Sequence, residues 1–194
     1  PTYGKIPAKR VLVVGLGQPG EFGLEQVRQA AATAIKRAKA LKARTVATPM
    51  HGAGAAGLDP AACAQAVAEA ALLGAYAFTK YKGEPKDEPR REIERLLIVE
   101  QDAGKRDAAA AGAERGRIIA EAVNRVRDLA NEPPDAVTPG FLAQAAKNLA
   151  AQYGLACEVW DLERITAERM QCLQMVGRGS AHEPVFIQLA YRPA

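Results

Sequence analysis

Apolar and polar positions along the first hundred residues alternate between two patterns. Short continuous apolar runs, which are typical of buried strands, occur at residues 10–14, 45–49 and 95–100. Between these runs, apolar residues spaced three and four apart predict helices over residues 24–41 and 60–73. Asp59 is a typical N-cap residue for the second helix. The β-α-β-α-β order predicts an α/β fold with a mostly parallel sheet and helices on its faces.

The chain continues with a long predicted helix over residues 107–131. Its apolar residues lie on one stripe, which consists of Ile118, Ile119, Ala122, Val123, Val126 and Leu129. The helix must end at "NEPPD" (131–135), because two prolines cannot continue it. Thr138, followed by Pro139, then predicts the start of another helix, which Gly154 would end.

The remaining elements form a smaller unit that looks incomplete. They are a strand over 155–160, a helix over 166–176 and a strand over 184–192. Two strands and two helices leave strand faces uncovered, so we do not expect this unit to be stable alone. The predicted organisation is an N-terminal α/β domain over residues 1–106, a connecting helix over 107–132 and the start of a second domain over 133–194.

Composition and charge narrow the class of protein. The 194 residues are 48% hydrophobic but only 5% aromatic, so aliphatic side chains must fill the core. The sequence has no run of about 18 apolar residues and no basic, apolar leader, so it predicts neither a membrane span nor a signal peptide. Three scattered cysteines suit a reducing cytosol, and two histidines are too few for a zinc finger or ribbon. The net charge of +4 permits weak nucleic-acid contact without requiring it.

A glycine-rich turn lies in "VLVVGLGQPGEFG" (11–23), where Gly15, Gly17 and Gly20 fit the spacing G-x-G-x-x-G. In a dinucleotide site the helix amides point at a pyrophosphate. Here Pro19 has no N–H to offer, and Glu21 would place a carboxylate where the phosphate should be. The second strand also ends without the acidic residue that would bind a ribose. We therefore interpret this stretch as a plain strand–helix turn.

No arrangement of residues predicts nucleophilic catalysis. The loop "HGAG" (51–54) is similar to the oxyanion loops of α/β-hydrolases, but the G-x-S-x-G motif of that fold is absent. Ser180 and His182 are close only in sequence, within a polar turn. The thiols that could pair with His51 or His182 are Cys63, Cys157 and Cys172. All three fall within regular elements, where a buried, inert thiol is usual.

Charged residues also fail to indicate a site. Acidic residues on the long helix alternate with basic ones, as in Glu114-Arg115 and Glu121-Arg125, and suggest surface pairs rather than metal ligands. Two groups of basic residues could touch a phosphate backbone: Lys36, Arg37, Lys39, Lys42 and Arg44, and then Lys80, Lys82, Lys86, Arg90 and Arg91. The first group lies at a helix C-terminus, where positive charge is favourable without any ligand. The second lies in a long loop, where solvated charged residues are usual. The residue chemistry predicts no catalytic, cofactor-binding or metal-binding residue in this chain.

Two longer stretches carry a resemblance. They are "GRIIAEAVNRVRDLANEPPDAVTPGFLAQAAKNLAAQYGLACEVWD" (116–161) and "MVGRGSAHEPVFIQLAYRP" (175–193). The order of motifs in these stretches resembles that of the leucyl aminopeptidase (cytosol aminopeptidase) family. A helix ends in R-D-L-x-N-x-P-P and is followed by T-P, a second helix and a strand. G-x-G-S then precedes a strand that ends in Y-R-P. "GKIPAKRVLVVGLGQPGEF" (4–22) resembles the start of its N-terminal domain. Asp135 stands where the family often has Asn.

The resemblance implies a macro-like N-terminal domain, incomplete at its start, a connecting helix and the truncated start of an α/β/α metallo-exopeptidase domain. The parent protein would release N-terminal amino acids from peptides with two divalent metal ions, Zn or Mn, as a cytoplasmic hexamer. In the family the metal-binding segments V-G-K-G and N-T-D-A-E-G-R follow the strand at 184–192. Because the sequence stops at Ala194, no catalytic or metal-binding residue of the family can be assigned here.

Three hypotheses therefore stand. The first is a scaffold and oligomerisation segment of a two-metal aminopeptidase. The second is a DNA-binding or regulatory α/β module, since some members of the resembled family bind DNA through this region. The third, a separate nucleotide-binding module, depends on the glycine-rich turn alone.

Overall fold

The computed structural model describes residues 1–54, 56–83 and 92–193. The chain is organised in two compact units, Pro1–Asp128 and Leu129–Ala194. Its helix-rich α/β composition confirms the predicted fold class. Within the residues that the structure describes, no helix combines the length and the apolar character needed to cross a bilayer.

The first unit is built from helices and one pair of strands. The helices are α1 (Leu24–Ala40), α2 (Pro60–Ala75) and α3 (Arg106–Asn131), and the strands are β1 (Thr45–Pro49) and β2 (Arg95–Val99). Single turns of 3₁₀ helix occupy Pro19–Glu21 and Ala103–Lys105. Helix α2 starts as predicted: Asp59 Oδ2 accepts a hydrogen bond from the Ala62 amide at 2.8 Å.

Strands β1 and β2 pair in parallel, with Thr45 opposite Arg95 and Pro49 opposite Val99. Small apolar residues join the two helices before and after β1 into one core: Val27 and Ala31 of α1 and Ala66, Val67 and Ala70 of α2. Ile98 of β2 packs against this cluster. The parallel pair between helices is the arrangement that the alternating pattern predicts.

The predicted strand at residues 10–14 does not form. These residues have no regular secondary structure, and Val13 is 93% exposed. Strand β1 pairs only with β2 in the described part of the chain, so the apolar run has no neighbouring strand to supply hydrogen bonds. β-branched residues favour a strand only where a sheet accepts them. The described order of this unit is therefore α-β-α-β-α.

Helix α3 buries a row of small residues and not its apolar stripe. Its buried residues are Ala109, Gly112, Gly116 and Ala120. A Cβ on Gly112 would collide with the Ala61 carbonyl oxygen of α2, and one on Gly116 would lie 2.5 Å from the Gln65 oxygen. The two helix backbones meet at the smallest residues, because only these allow so close an approach. The larger side chains of the predicted stripe stay exposed, Val126 by 64%.

The second unit contains three further helices and an antiparallel pair of strands. They are α4 (Pro139–Tyr153), β3 (Ala156–Trp160), α5 (Leu162–Ala167), α6 (Gln171–Gly177) and β4 (Phe186–Ala190). Both predicted ends of α4 are confirmed: Thr138 Oγ1 accepts from the Phe141 amide at 3.2 Å, and Gly154 is left-handed with φ 67°. Strands β3 and β4 align Trp160 with Phe186.

The helix predicted over 166–176 is in fact two short helices, α5 and α6. Helix α5 starts earlier, at Leu162, where Asp161 Oδ1 accepts from the Arg164 amide at 3.0 Å. The chain reverses at Arg169, whose φ of 55° lies in the left-handed region. The Met170 amide then donates to the Ile165 carbonyl, which closes α5. An arginine in this conformation has no sequence signal comparable to glycine, so the periodic pattern concealed the break.

Candidate functional site

The loop that follows β1 brings together several of the residues considered from the sequence. His51 is half-buried, and its Nε2 lies 3.1 Å from the Thr48 hydroxyl. Burial lowers the pKa of His51, because desolvation disfavours the imidazolium. The imidazole is therefore neutral near pH 7 and bonded to a hydroxyl of its own turn. This geometry holds the loop and presents no activated nucleophile.

Glycine is required at the centre of this loop. Gly52 has φ 93°, and a Cβ there would lie 2.9 Å from Leu58 Cδ1 and 3.1 Å from Cys63 Sγ. The Leu58 amide donates to the Gly52 carbonyl at 3.1 Å. The "HGAG" stretch is thus folded onto the start of α2, so Gly52 has a packing role there. The structure supports the interpretation of this stretch as a structural loop.

Cys63 is completely buried at the start of α2. Burial raises the pKa of its thiol, and the negative charge of Asp59 raises it further. The thiol belongs to a core cluster with Met50, Ala53, Ala64 and Ala109. A thiol in these surroundings stays protonated and inert, as the sequence predicts for a buried cysteine.

A lysine and a carboxylate hold this loop from the other side. Lys105 Nζ donates to the Ala53 carbonyl at 3.2 Å and lies 3.5 Å from Asp102 Oδ2. Asp102 also accepts from the Gly104 amide at 2.9 Å, which caps the 3₁₀ turn before α3. These contacts join the loop after β1 to the turn before α3.

The glycine-rich turn lies exposed before α1. Only Gly17 of its three motif glycines has a positive φ, 83°. The Gly23 amide at the start of α1 donates to the Gln26 side chain at 3.0 Å, so this N-terminal donor is already engaged. Glu21 and Glu25 add negative charge at this helix end. These features favour a plain turn over a phosphate site, and that interpretation stays a prediction.

Ser180 and His182 do not form a catalytic pair. The hydrogen bond between them runs from the His182 backbone amide to Ser180 Oγ at 3.0 Å and does not involve the imidazole. Both residues are exposed. Of the remaining cysteines, Cys157 in β3 is partly buried, but Cys172 in α6 is exposed. The expectation that all three thiols are buried was wrong for Cys172, because α6 is a short separate helix.

Several basic residues of the first predicted cluster bind within the protein. Lys39 Nζ donates to the Ala75 carbonyl at 2.5 Å, and Arg44 forms an ion pair with Glu94 at 2.6 Å. These contacts cap the end of α2 and join β1 to the segment before β2. Lys86, Arg90 and Arg91 lie outside the described residues.

Charges on α3 pair differently from the predicted neighbours. Arg117 bridges Glu114 and Glu121, each at 2.6 Å, whereas the sequence suggested Arg115 and Arg125 as their partners. Helical spacing explains why Glu114 pairs with Arg117 and not with its neighbour Arg115, because residues three apart face each other and adjacent ones do not. Spacing does not separate Arg117 from Arg125 as partners of Glu121, since each lies four residues from it. The hydrogen bond from Arg117 lowers the pKa of Glu114.

Two polar features were missed from the sequence. Glu69 is buried within α2, where it accepts from Arg28 at 3.2 Å and Gln65 at 2.6 Å. Two side chains of α3 donate hydrogen bonds to the last carbonyls of α2: Asn124 to the Leu72 carbonyl and Arg127 to the Leu73 carbonyl. A single acidic residue in the middle of an alanine-rich helix was the available signal for the first feature. The second depends on tertiary contacts.

Metal-binding chemistry needs three or more ligands close together. Within residues 1–54, 56–83 and 92–193, no such group of His, Cys, Asp and Glu is found. The described residues therefore do not fit the two-metal centre that the resemblance implies for the parent protein.

Comparison with known proteins supplies the identity that the site chemistry does not. The family model described as the cytosol aminopeptidase family, N-terminal domain, matches residues 1–85. The model of the catalytic domain of the same family matches residues 124–194. Together the two models account for more than half of the chain, in the order predicted from the sequence motifs.

Individual relatives agree. A probable cytosol aminopeptidase of Roseiflexus castenholzii is 39% identical over 97% of this chain, and one of Aquifex aeolicus is 37% identical over 100% of it. The chain spans only 38% and 37% of the lengths of these relatives.

Solved structures show the same likeness. The bottromycin maturation enzyme BotP in complex with Mn is 32% identical, with a TM-score of 0.78 over 93% of this chain and 36% of its own. A tomato leucine aminopeptidase mutant, at 24% identity, has a similar fold, with a TM-score of 0.73 over 91% of this chain and 34% of its own. The sequence motifs, the two family models and these relatives agree, and the chain belongs to the cytosol aminopeptidase family.

Proposed function

We propose that these 194 residues are part of an aminopeptidase that releases N-terminal amino acids from peptides. The observation that carries the proposal is the order of the two family matches, N-terminal domain at 1–85 and catalytic domain at 124–194. Relatives that align with nearly the whole chain are named as probable cytosol aminopeptidases, which favours a cytoplasmic location. The parent protein would act as a homo-oligomer, most simply the hexamer that the resemblance implies.

The proposed hydrolysis uses two divalent metal ions, Zn or Mn. Such ions activate a water molecule and polarise the scissile carbonyl. Mn is present in the BotP structure that this chain resembles. The resembled family carries its metal-binding segments after the strand that corresponds to residues 184–192, and we propose that the parent protein holds its metal ions there.

The role proposed for this chain is structural. Residues 1–106 would form the N-terminal domain, 107–132 the connecting helix and 133–194 the first part of the catalytic domain. The loop around His51 and the thiol of Cys63 contribute to the core of the first unit, as their burial and bonding indicate. In the second unit, β3 and β4 would be the first strands of a larger catalytic sheet.

The test begins with the natural-length protein. Its intact mass should be well above the 20.6 kDa of this chain, and sedimentation should show a closed oligomer. With Mn²⁺ or Zn²⁺ it should hydrolyse leucine p-nitroanilide, and a chelator should abolish the activity. A protein that carries two bound metal ions and still leaves this substrate and leucine-terminated peptides intact would refute the proposed activity.

The scaffold role has its own test within the same assay. His51→Asn and Cys63→Ser should leave kcat and KM within about twofold at a temperature where the variants are folded, since removing a catalytic base or nucleophile costs far more. A loss of kcat of about a hundredfold in either folded variant would place that residue in the chemistry and contradict the scaffold role.

The names of these relatives give no support to a DNA-binding function. Lys39 and Arg44, which belonged to the predicted basic cluster, are engaged with Ala75 and Glu94 within the first unit.

A further inference from the structure

Helix α3 presents three different faces. One is the small-residue face that packs on α2. The second is charged and carries the Arg117 network with Glu114 and Glu121. The third, which we name the α3 stripe, is formed by Ile118, Ile119, Ala122, Val123 and Val126, all exposed. At 3.6 residues per turn, the stripe is centred about 100° around the helix axis from the small-residue face.

The α3 stripe is unusually apolar for a solvent-facing surface. Four of its five members are β-branched, and Ile118 remains 55% exposed and Val126 64% exposed. Single exposed apolar residues are ordinary, but a contiguous row of them on one helix face marks a contact surface. Valine and isoleucine are also weaker helix formers than the charged residues beside them, so helix propensity does not account for their presence.

The family comparison indicates what covers this face. The match to the catalytic domain begins at residue 124, inside α3 and inside the α3 stripe. In the family, the end of this helix is therefore counted with the catalytic domain. About three-fifths of the length of the matched relatives lies outside this chain, whose share is 38% of the Roseiflexus protein. The missing length is enough for the remainder of a catalytic domain.

We propose that, in the natural-length protein, the α3 stripe is covered by the part of the catalytic domain that follows residue 194 in the same polypeptide. The contact would bury Ile118, Val123 and Val126 and fix the connecting helix to the domain that it leads into. The proposal rests on the proposed function, since it requires the longer chain. It goes further by naming the surface on which the two parts of that chain meet.

Thiol labelling of the natural-length protein tests the contact. Val126→Cys places the probe on the α3 stripe, and Ala110→Cys places it on the exposed charged face, about 160° around the helix axis from Val126. Labelling by a maleimide, followed by peptide mass spectrometry, separates these sites from the native cysteines. We expect the thiol at 126 to react at least tenfold more slowly than the thiol at 110. Ile118→Cys supplies a second probe in case the first variant does not fold.

The outcomes separate the possible occupants. Protection that persists on dilution below the association range supports coverage by the same polypeptide. Protection that disappears on dissociation identifies a second copy and overturns the proposal, as do equal rates at positions 110 and 126.

Labelling does not depend on catalysis, so it can fail separately from the proposed function. An active protein with a rapidly labelled position 126 refutes only the contact, and a protected but inactive one refutes only the activity. A natural protein of 20.6 kDa would refute both.

Discussion

Adding one methyl group at Gly112 tests how closely α2 and α3 pack. In an open helical position, glycine to alanine stabilises a protein by about 1 kcal/mol, because alanine loses less conformational freedom. The preceding residue, Ala111, is exposed on the same helix. The reverse substitution Ala111→Gly therefore measures the propensity term at this point of α3, and we expect it to cost about 1 kcal/mol.

At Gly112 the steric term opposes this gain. The new Cβ would collide with the carbonyl oxygen of Ala61 and lie 2.7 and 2.8 Å from its carbonyl carbon and Cα. These are backbone atoms of α2, which cannot rotate aside, so the helices must separate. A gap of about 0.5–1 Å forfeits a quarter to a half of the dispersion energy at each contact, and overpacking costs about 1–3 kcal/mol or more. Because three backbone atoms are too close, the steric cost should lie in the upper part of this range, about 2–3 kcal/mol, and net of propensity we expect Gly112→Ala to destabilise the first unit by about 1–2 kcal/mol.

Gly116→Ala should have a smaller effect in the same direction. Its Cβ would meet one backbone oxygen, of Gln65 at 2.5 Å, while the next atom, Ala68 Cβ, is at 3.1 Å. A small tilt of α3 can relieve a single contact more readily than three. The expected order of stability is therefore unaltered protein, Gly116→Ala, Gly112→Ala.

Native-state hydrogen exchange followed by mass spectrometry is the suitable assay. It reports the opening free energy of peptides from α2 and α3 individually, without assuming that the whole protein unfolds in one step. Exchange in α2 should accelerate with Gly112→Ala, since separation of the helices exposes both. The contrary result is slower exchange in Gly112→Ala, by the same factor by which exchange accelerates in Ala111→Gly. That result would refute the close approach of α2 and α3, because helix propensity alone would then account for the stability of both variants.

Three further perturbations follow from the polar contacts. Burial lowers the pKa of His51, so its contribution to the free energy of unfolding is complete above about pH 6.5 and is lost as the pH falls towards the folded pKa. Thermal melts should therefore show a steeper loss of stability below about pH 6.5 than in His51→Asn, and parallel curves would contradict this. The control is His182→Asn, which removes an exposed histidine. Arg28→Gln leaves the buried Glu69 carboxylate without its cation and should lower the free energy of unfolding by about 2 kcal/mol or more. Glu69→Gln retains an acceptor and should lower it by about 1 kcal/mol. Equal losses in denaturant titrations would contradict this asymmetry. The guanidinium of Arg127 lies 3.8 Å from the centroid of the Tyr76 ring. Arg127→Lys loses this stacking and should lower the free energy of unfolding by about 1 kcal/mol. An unchanged denaturation midpoint would show that the stacking contributes nothing.

Local signals predicted helix ends well. Asp59 accepts from the third residue of its helix, Thr138 does the same for α4, and Gly154 adopts the left-handed conformation that ends α4. Each of these features is decided within about four residues, so the chemistry of the capping side chain is enough to identify it. The bounds of α1, α2, α3 and α4 consequently lie within two residues of those predicted.

Features that depend on distant contacts were not predictable in the same way. The run at 10–14 has the composition of a strand, yet a strand exists only where another supplies hydrogen bonds. The face that α3 buries could not be identified from periodicity, which marks only the stripe of its largest apolar residues. The structure instead uses Gly112 and Gly116 there, since a close approach of two backbones excludes large side chains.

Residue chemistry predicts no catalytic site in this chain, whereas family membership indicates a part of an enzyme. His51, Cys63 and Ser180 are residue types that catalyse reactions elsewhere, but each is bonded or buried in a way that serves the loop or core around it. Their sequence context argues against catalysis, since no base and nucleophile are placed together, and the absence of a catalytic role stays a prediction. The function had to be inferred from the order of motifs, R-D-L-x-N-x-P-P before T-P and G-x-G-S before the last strand, which the two family matches bear out. The strand that does not form at 10–14 and the proposed contact involve the same kind of residue, a β-branched side chain left in solvent. An apolar stripe that periodicity marks and the structure leaves exposed is therefore the most informative place to look for the rest of the protein.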